Sequence, residues 1–267
     1  MLNGLTTLLS SATTSFSIEP VAIFVLNSYI NAILIAYPVR EGDHVSEKPS
    51  DAAASSTKRG RGRPPSIDQQ SALAGAIQVF WKFGYDGASL DSLVEAAGTS
   101  RPGLYRTFKD KRTLFLKSLQ VYEDTITAEA LQAFEDEADL TRAVRAFLLV
   151  SAMNNTSAAH PSGCLLVCCA TTAAEEMADV QQIIAQSFTM LEAKIAARFA
   201  TAIIKGELAS APSPKVRARL LLDFMAGQAV RARAGACFEA LVEDVEARVA
   251  SVLMQPYGCS DDQGSNG

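Results

Sequence analysis

The side chains best suited to chemistry crowd into residues 101–111, where Arg101, Tyr105, Arg106, Thr107 and Lys111 follow one another at close spacing. Guanidinium groups pair with phosphate oxygens or, bidentate, with guanine edges, and hydroxyls bond either. That chemistry is contact, not catalysis. No Ser/His/Asp set, phosphate loop or zinc motif accompanies it, so an enzyme and a bound cofactor are not expected. A second basic run, KRGRGRPP at residues 58–65, puts four cations into six residues. Gly and Pro forbid a helix there. It reads as a solvated linker or as a flexible arm, with Arg61 and Arg63 reaching phosphates or the minor groove.

Charge is unevenly spread in a way that suits this reading. The 267-residue chain has a formal net charge of -5. Residues 58–117 carry 11 Lys and Arg against 5 Asp and Glu, a net of +6, whereas residues 118–267 carry 11 against 19. A basic module beside an acidic remainder points to a nucleic-acid contact joined to a domain with another task. At 48% apolar content the chain can fill a sizeable core.

Three short helices must position the cluster. Asp68 is a good N-cap for the first, with Leu73, Ala76, Ile77 and Phe80 as its buried stripe and Gly84 at its end. The second is expected over residues 89–97, capped by Ser89 and facing inward through Leu90, Leu93, Val94 and Ala97. Gly98 turns the chain. Ser100 caps the third helix; Pro102 has no N–H, so the Ser100 hydroxyl must accept from Gly103. Leu104 and Phe108, one turn apart, anchor it. Arg101, Gly103, Tyr105, Arg106 and Thr107 are left for the outside or the edges. Two short helices joined by a glycine turn, the second carrying Arg, Tyr and Thr, suit entry into a major groove. Lys111 at a helix start opposes the macrodipole, which makes sense if phosphate neutralises it.

The pattern Gly84-Tyr85, Ser89-Leu90, Leu93, Ala96-Ala97-Gly98, Ser100, Leu104-Tyr105, Phe108, Asp110-Lys111 and Leu114-Phe115 resembles, in order and spacing, the N-terminal signature of the TetR/AcrR family of bacterial regulators. The resemblance implies an all-α fold: a three-helix helix-turn-helix DNA-binding domain at residues 67–117, then a helical ligand-binding and dimerisation domain at 118–258. Tyr105, Thr107 and Lys111 would match phosphate-contacting positions, and Arg101, Pro102 and Arg106 positions facing base edges. Ser89, Ser100 and Gly103 belong to the same expected DNA surface. Thr107 departs from the family's usual His or Tyr. Arg112 departs from its usual acidic residue and adds positive charge beside Lys111. Helices at about 179–205 and 213–236 would pair with their mates in a homodimer, where Gly227, Ala229, Ala232 and Ala234 allow close approach or simply pack within the subunit. The implied mechanism is a cytoplasmic repressor on palindromic double-stranded operator DNA, released by an unidentified small molecule.

The remaining features stay open. Cys164, Cys168 and Cys169 sit in a Leu/Val/Ala segment, with His160 one turn before Cys164. Core packing is expected, with a thiol switch at Cys164 or a metal site as alternatives. The odd count of 5 cysteines and their spacing fit a reducing compartment. Residues 123–258 read as helical throughout, in stretches 140–153, 163–177, 180–205, 216–235 and 238–254. Residues 21–39 form an uncharged apolar run near the minimum span length, interrupted by Asn27, Asn31 and Pro38. Residues 1–57 are expected to be a disordered or apolar extension from a start assigned too early, with initiation near Val45; a membrane-anchored regulator is the alternative, and a membrane partner is not expected. Residues 58–66 are expected to form the arm and 259–267 a disordered tail.

Overall fold

The computed structural model describes residues 68–254, which are helical with no strand among them. Helix α1 (Gln69–Gly87) begins where Asp68 accepts a hydrogen bond from the Gln70 amide at 3.2 Å. Its buried stripe holds Ala72, Leu73, Ala76, Ile77, Phe80 and Trp81. Gly84, at φ +72 and ψ -179, is the non-helical residue at which this helix breaks, as expected of a terminal glycine, and a short further turn reaches Gly87 across the kink. That backbone conformation is open to glycine and strained for any residue with a Cβ.

α2 (Leu90–Ala96) and α3 (Arg101–Phe108) follow, separated by Gly98 at φ +60. α2 lies so close on α1 that a methyl group on Gly75 would stand 2.0 Å from the Ala96 carbonyl oxygen. α4 (Lys111–Tyr122) passes into a π-helical segment (Glu123–Thr127) and then α5 (Ala128–Asp136). The boundary expected at 117/118 thus falls inside a continuous helical run. The core joins the two parts as well: Phe80, Phe108, Phe115 and Leu119 share one buried cluster with Leu165, Cys169 and Val180.

α6 (Leu140–Thr156) is longer than its apolar stripe suggests and is capped by Asp139. The helix expected at 163–177 is broken. A loop through Gly163 leads to a second π-helical turn (Leu166–Ala170), a short α7 (Thr171–Ala173) and the turn before α8 (Ala178–Ile204). α9 (Pro214–Arg233) starts at Ser213, and the 238–254 stretch is split into α10 (Phe238–Val242) and α11 (Val245–Leu253). Arg217 in α9 is fully buried without a carboxylate. Its guanidinium donates instead to the carbonyls of Ala209, Ala211, Pro212 and Val252, at 2.7–3.2 Å. Those bonds hold the α8–α9 turn against the end of α11.

Candidate nucleic-acid interface

Local chemistry builds the α3 surface. The Ser100 hydroxyl accepts from the Gly103 amide at 3.3 Å, the bond that Pro102 at the helix start leaves as the available one. Leu104 and Phe108 are buried beneath. Lys109 ends α3 at φ +67, and Asp110 restarts the chain by accepting from the Thr113 amide at 2.6 Å. That bond holds the exposed Asp110 carboxyl below its usual range.

Arg101, Pro102, Tyr105 and Arg106 emerge together on the exposed face of α3. Tyr105 is 42% exposed, so it is no core aromatic. Arg106 has no ion-pair partner among the described residues. Arg101 does have one: its guanidinium lies 2.7 Å from the Asp91 carboxylate of α2, an exposed pair that orients the side chain more than it stabilises the fold. Ser100 and Ser89 are exposed, and Ser89 accepts from the Ser92 amide at 3.1 Å while sharing a hydroxyl bond with Ser92. One residue departs from the outer or edge placement expected of it, and a second takes an edge position. Gly103 is buried beside Leu104, its N–H already given to Ser100. Thr107 is half-buried and donates its hydroxyl proton to the Gly103 carbonyl at 3.1 Å. Arg61 and Arg63, like the 21–39 apolar run, lie outside the described residues.

The cations at the start of α4 are engaged within the fold. Lys111 sits over the Tyr85 ring at 4.7 Å and donates to the Asp86 carbonyl at 3.5 Å, so phosphate is not its only source of compensation. Partial burial pushes its pKa down, against the pull of Asp86. Arg112 does not add free charge beside it: both Asp179 oxygens accept from its guanidinium, at 2.9 Å, tying α4 to α8.

Trp81 is the strongest link between this head and the rest. Its ring is fully buried, stacks on His160 at 4.2 Å and meets Tyr122 edge-on at 4.9 Å. Its indole N–H donates to the Gly163 carbonyl at 3.1 Å. Its own carbonyl accepts from Arg233 of α9 and from the Cys169 thiol. Tyr122 donates in turn to Cys164 and accepts from the Leu165 amide, each at 3.3 Å. Sequence spacing had no means of exposing this hub, because its members come from five separate segments. Burial pushes the Cys164 and Cys169 thiols up and the His160 imidazole down. Raised thiols are the opposite of what a reactive cysteine needs. Among the described residues no group of three or more His, Cys, Asp or Glu could hold a metal ion, and no helix is long and apolar enough to cross a membrane.

Tyr122 and Cys164 also line a narrow cavity of about 40 Å³ among α4–α6, α8 and α9. Both π-helical segments contribute to its wall, through Ile126 and Thr127 and through Leu166. Such bulges recur at functional sites.

Comparison with known proteins bears on this arrangement. Residues 72–117 match the family model for bacterial regulatory proteins of the tetR family. Over 187 residues the chain is 30% identical to the HTH-type transcriptional repressor ComR of Escherichia coli K12, covering 70% of this chain and 89% of ComR. This chain belongs to the TetR family. It is a DNA-binding transcription regulator of that family. Among solved structures, cysteine-substituted CifR, a TetR-family regulator complexed with 26-base-pair operator DNA, is similar at 28% identity and a TM-score of 0.66. That likeness covers 71% of this chain and 99% of CifR. A TetR regulator from Chloroflexus aurantiacus shares the fold at a TM-score of 0.62 with 18% identity, covering 69% and 93% of the two chains.

Proposed function

We propose that the protein is a ligand-responsive repressor that binds palindromic operator DNA as a homodimer and is released by a small molecule. The observation that carries this is the exposed face of α3, where Arg101, Pro102, Tyr105 and Arg106 project from a helix held by Leu104 and Phe108. Arg101 and Arg106 would read base edges, Tyr105 and Lys111 would pair with phosphates, and Arg61 and Arg63 would add an arm. Ser89 and Ser100 would flank the same contact. The reading of Thr107 as a phosphate donor is weakened by its bond to the Gly103 carbonyl, and Gly103 would act only through helix position.

Dimerisation is supported by apolar side chains left on α8 and α9: Met190 is 56% exposed, Val216 50% and Val230 55%. Gly227 and Ala234 are exposed there too, whereas Ala229 and Ala232 pack inside the subunit. Two copies of α3 in successive major grooves would stand about 34–36 Å apart. A ligand favouring a conformer with another spacing would lower operator affinity. Occupying a promoter, in the cytoplasm, would repress transcription.

Selection of bound sequences from random DNA tests the reading. The expected result is a palindrome whose half-site centres are about one helical turn, or a multiple, apart. An enriched but asymmetric site, or none, would overturn it.

A further inference from the structure

We propose that the cavity beside Tyr122 is the effector site and that it takes a small uncharged molecule carrying one polar group, which pairs with the Thr127 hydroxyl. The inference rests on the ligand-released reading above and names the chemistry of its ligand.

Charge sets the first limit. Every side chain lining the cavity is neutral in its ordinary state or held so: burial pushes the Tyr122 phenol and the Cys164 thiol upward, away from ionisation. Glu123 and Glu129 stand behind the wall and bond to Ser187 and Asn154, two lining residues. Burial pushes both carboxyls up toward their neutral forms. An anion in the cavity would meet no counter-charge and two carboxyls behind it. A cation would find no charged side chain among the lining residues to pair with. A buried charge without a direct partner is strongly disfavoured.

Hydrogen bonding sets the second. Most polar lining atoms are already engaged: Ser151 donates to the Phe147 carbonyl at 2.7 Å, and the Asn154 amide to the Ile126 carbonyl at 3.1 Å. Thr127 is different. Its Oγ1 is buried and has no hydrogen-bond partner among the described residues, at the end of a π-helical segment on the cavity wall. A buried hydroxyl left unpaired costs free energy that a ligand group can recover. The rest of the wall is apolar, with Ile126, Leu166, Phe188 and Met225 available to an aromatic or aliphatic body.

Size supplies the coupling. By the measure in which one water needs about 10–15 Å³, a cavity of about 40 Å³ holds roughly three waters. An organic molecule must therefore move the wall. Tyr122 belongs to that wall and also packs edge-on against Trp81 of α1, so opening the cavity displaces the head.

Four probes of one shape test the proposal on the full chain: benzyl alcohol, toluene, benzoate and benzylamine, followed by calorimetry and by binding of the selected DNA. Benzyl alcohol should bind more tightly than either charged analogue. Thr127→Val should weaken benzyl alcohol about three- to tenfold, the worth of one net hydrogen bond, and leave toluene within about twofold, which also reports an intact cavity. Equal or tighter binding of benzoate or benzylamine, an unchanged benzyl alcohol affinity in Thr127→Val, or no binding of any probe would each overturn the proposal. Binding as expected without loosening of the DNA complex supports the site and refutes ligand-driven release, so the two readings fail separately.

Discussion

Replacing Gly75 by alanine adds one methyl group at a place where there is no room for it. The new Cβ would lie 2.0 Å from the Ala96 carbonyl oxygen and 2.6 Å from the Ala96 carbonyl carbon. Both are backbone atoms, so no rotamer change relieves the clash. Restoring an ordinary contact of 3.4 Å requires α2 to retreat by about 1.4 Å. Two effects of opposite sign compete. Alanine is favoured over glycine inside a helix by roughly 0.5–1 kcal/mol. Forcing a methyl group into a packed contact costs typically 1–3 kcal/mol, and more where the neighbour is backbone. The clash wins, and Gly75→Ala should lose about 1–2 kcal/mol of stability by urea unfolding at fixed protein concentration. The retreat of α2 also moves Asp91 away from Arg101, so operator affinity should drop about tenfold, the worth of 1.4 kcal/mol. Gly87→Ala is the control, since its added Cβ meets only the Phe83 side chain, at an ordinary 3.4 Å. A Gly75→Ala protein that unfolds at the wild-type midpoint and binds DNA normally would refute the close approach of α1 and α2.

Other expectations follow from single contacts. Arg106→Ala should cost about 1–3 kcal/mol of operator affinity and relax selectivity at one base pair, read by competition among single-substituted sites. Lys111→Gln should weaken all sequences alike and reduce the slope of log affinity against log salt by about one. Arg217→Met strips four carbonyls of their donor and should lower stability by roughly 2–4 kcal/mol in chemical denaturation. His160 is held below its ordinary value of 6.5 by burial, so the unfolded chain takes up its proton first as pH falls. Its neutral, stacked form should therefore lose stability on acidification below about 6.5, with no penalty above. Unfolding of His160→Gln from pH 5 to 7.5 should show a shallower decline than wild type; parallel curves would contradict this.

How much of the molecule can be read in the chain depends on the range of the forces involved. The Ser100–Gly103 cap was legible because a hydroxyl, a proline and a glycine within four residues leave one donor for the bond. The break at Gly84 was legible for the same local reason; the short turn beyond it to Gly87 was not, and there Tyr85 packs against Phe115, 30 residues on in the chain. Gly103 was expected at the outside or the edges once Leu104 and Phe108 were taken as the anchors. Helical periodicity nonetheless sets it beside Leu104 on the inner face. A lone glycine inside the α1 pattern was itself a signal of close packing at Gly75, but nothing in the sequence names Ala96 as the neighbour. Arg112 looked like free positive charge until a partner 67 residues away, Asp179, closed on it. The π-helical segments arise from one-residue shifts in hydrogen bonding that apolar spacing does not register.

The burial of Trp81 bears on how such a regulator can be taken apart and rebuilt. A chimera that grafts residues 68–122 onto a foreign effector domain keeps the indole but loses the Gly163 carbonyl, the His160 ring and the Arg233 guanidinium that surround it. Such a hybrid would carry an intact reading surface on a loosened hinge. The transferable unit is the head together with these three distant residues, and a junction drawn by sequence length alone would cut through it.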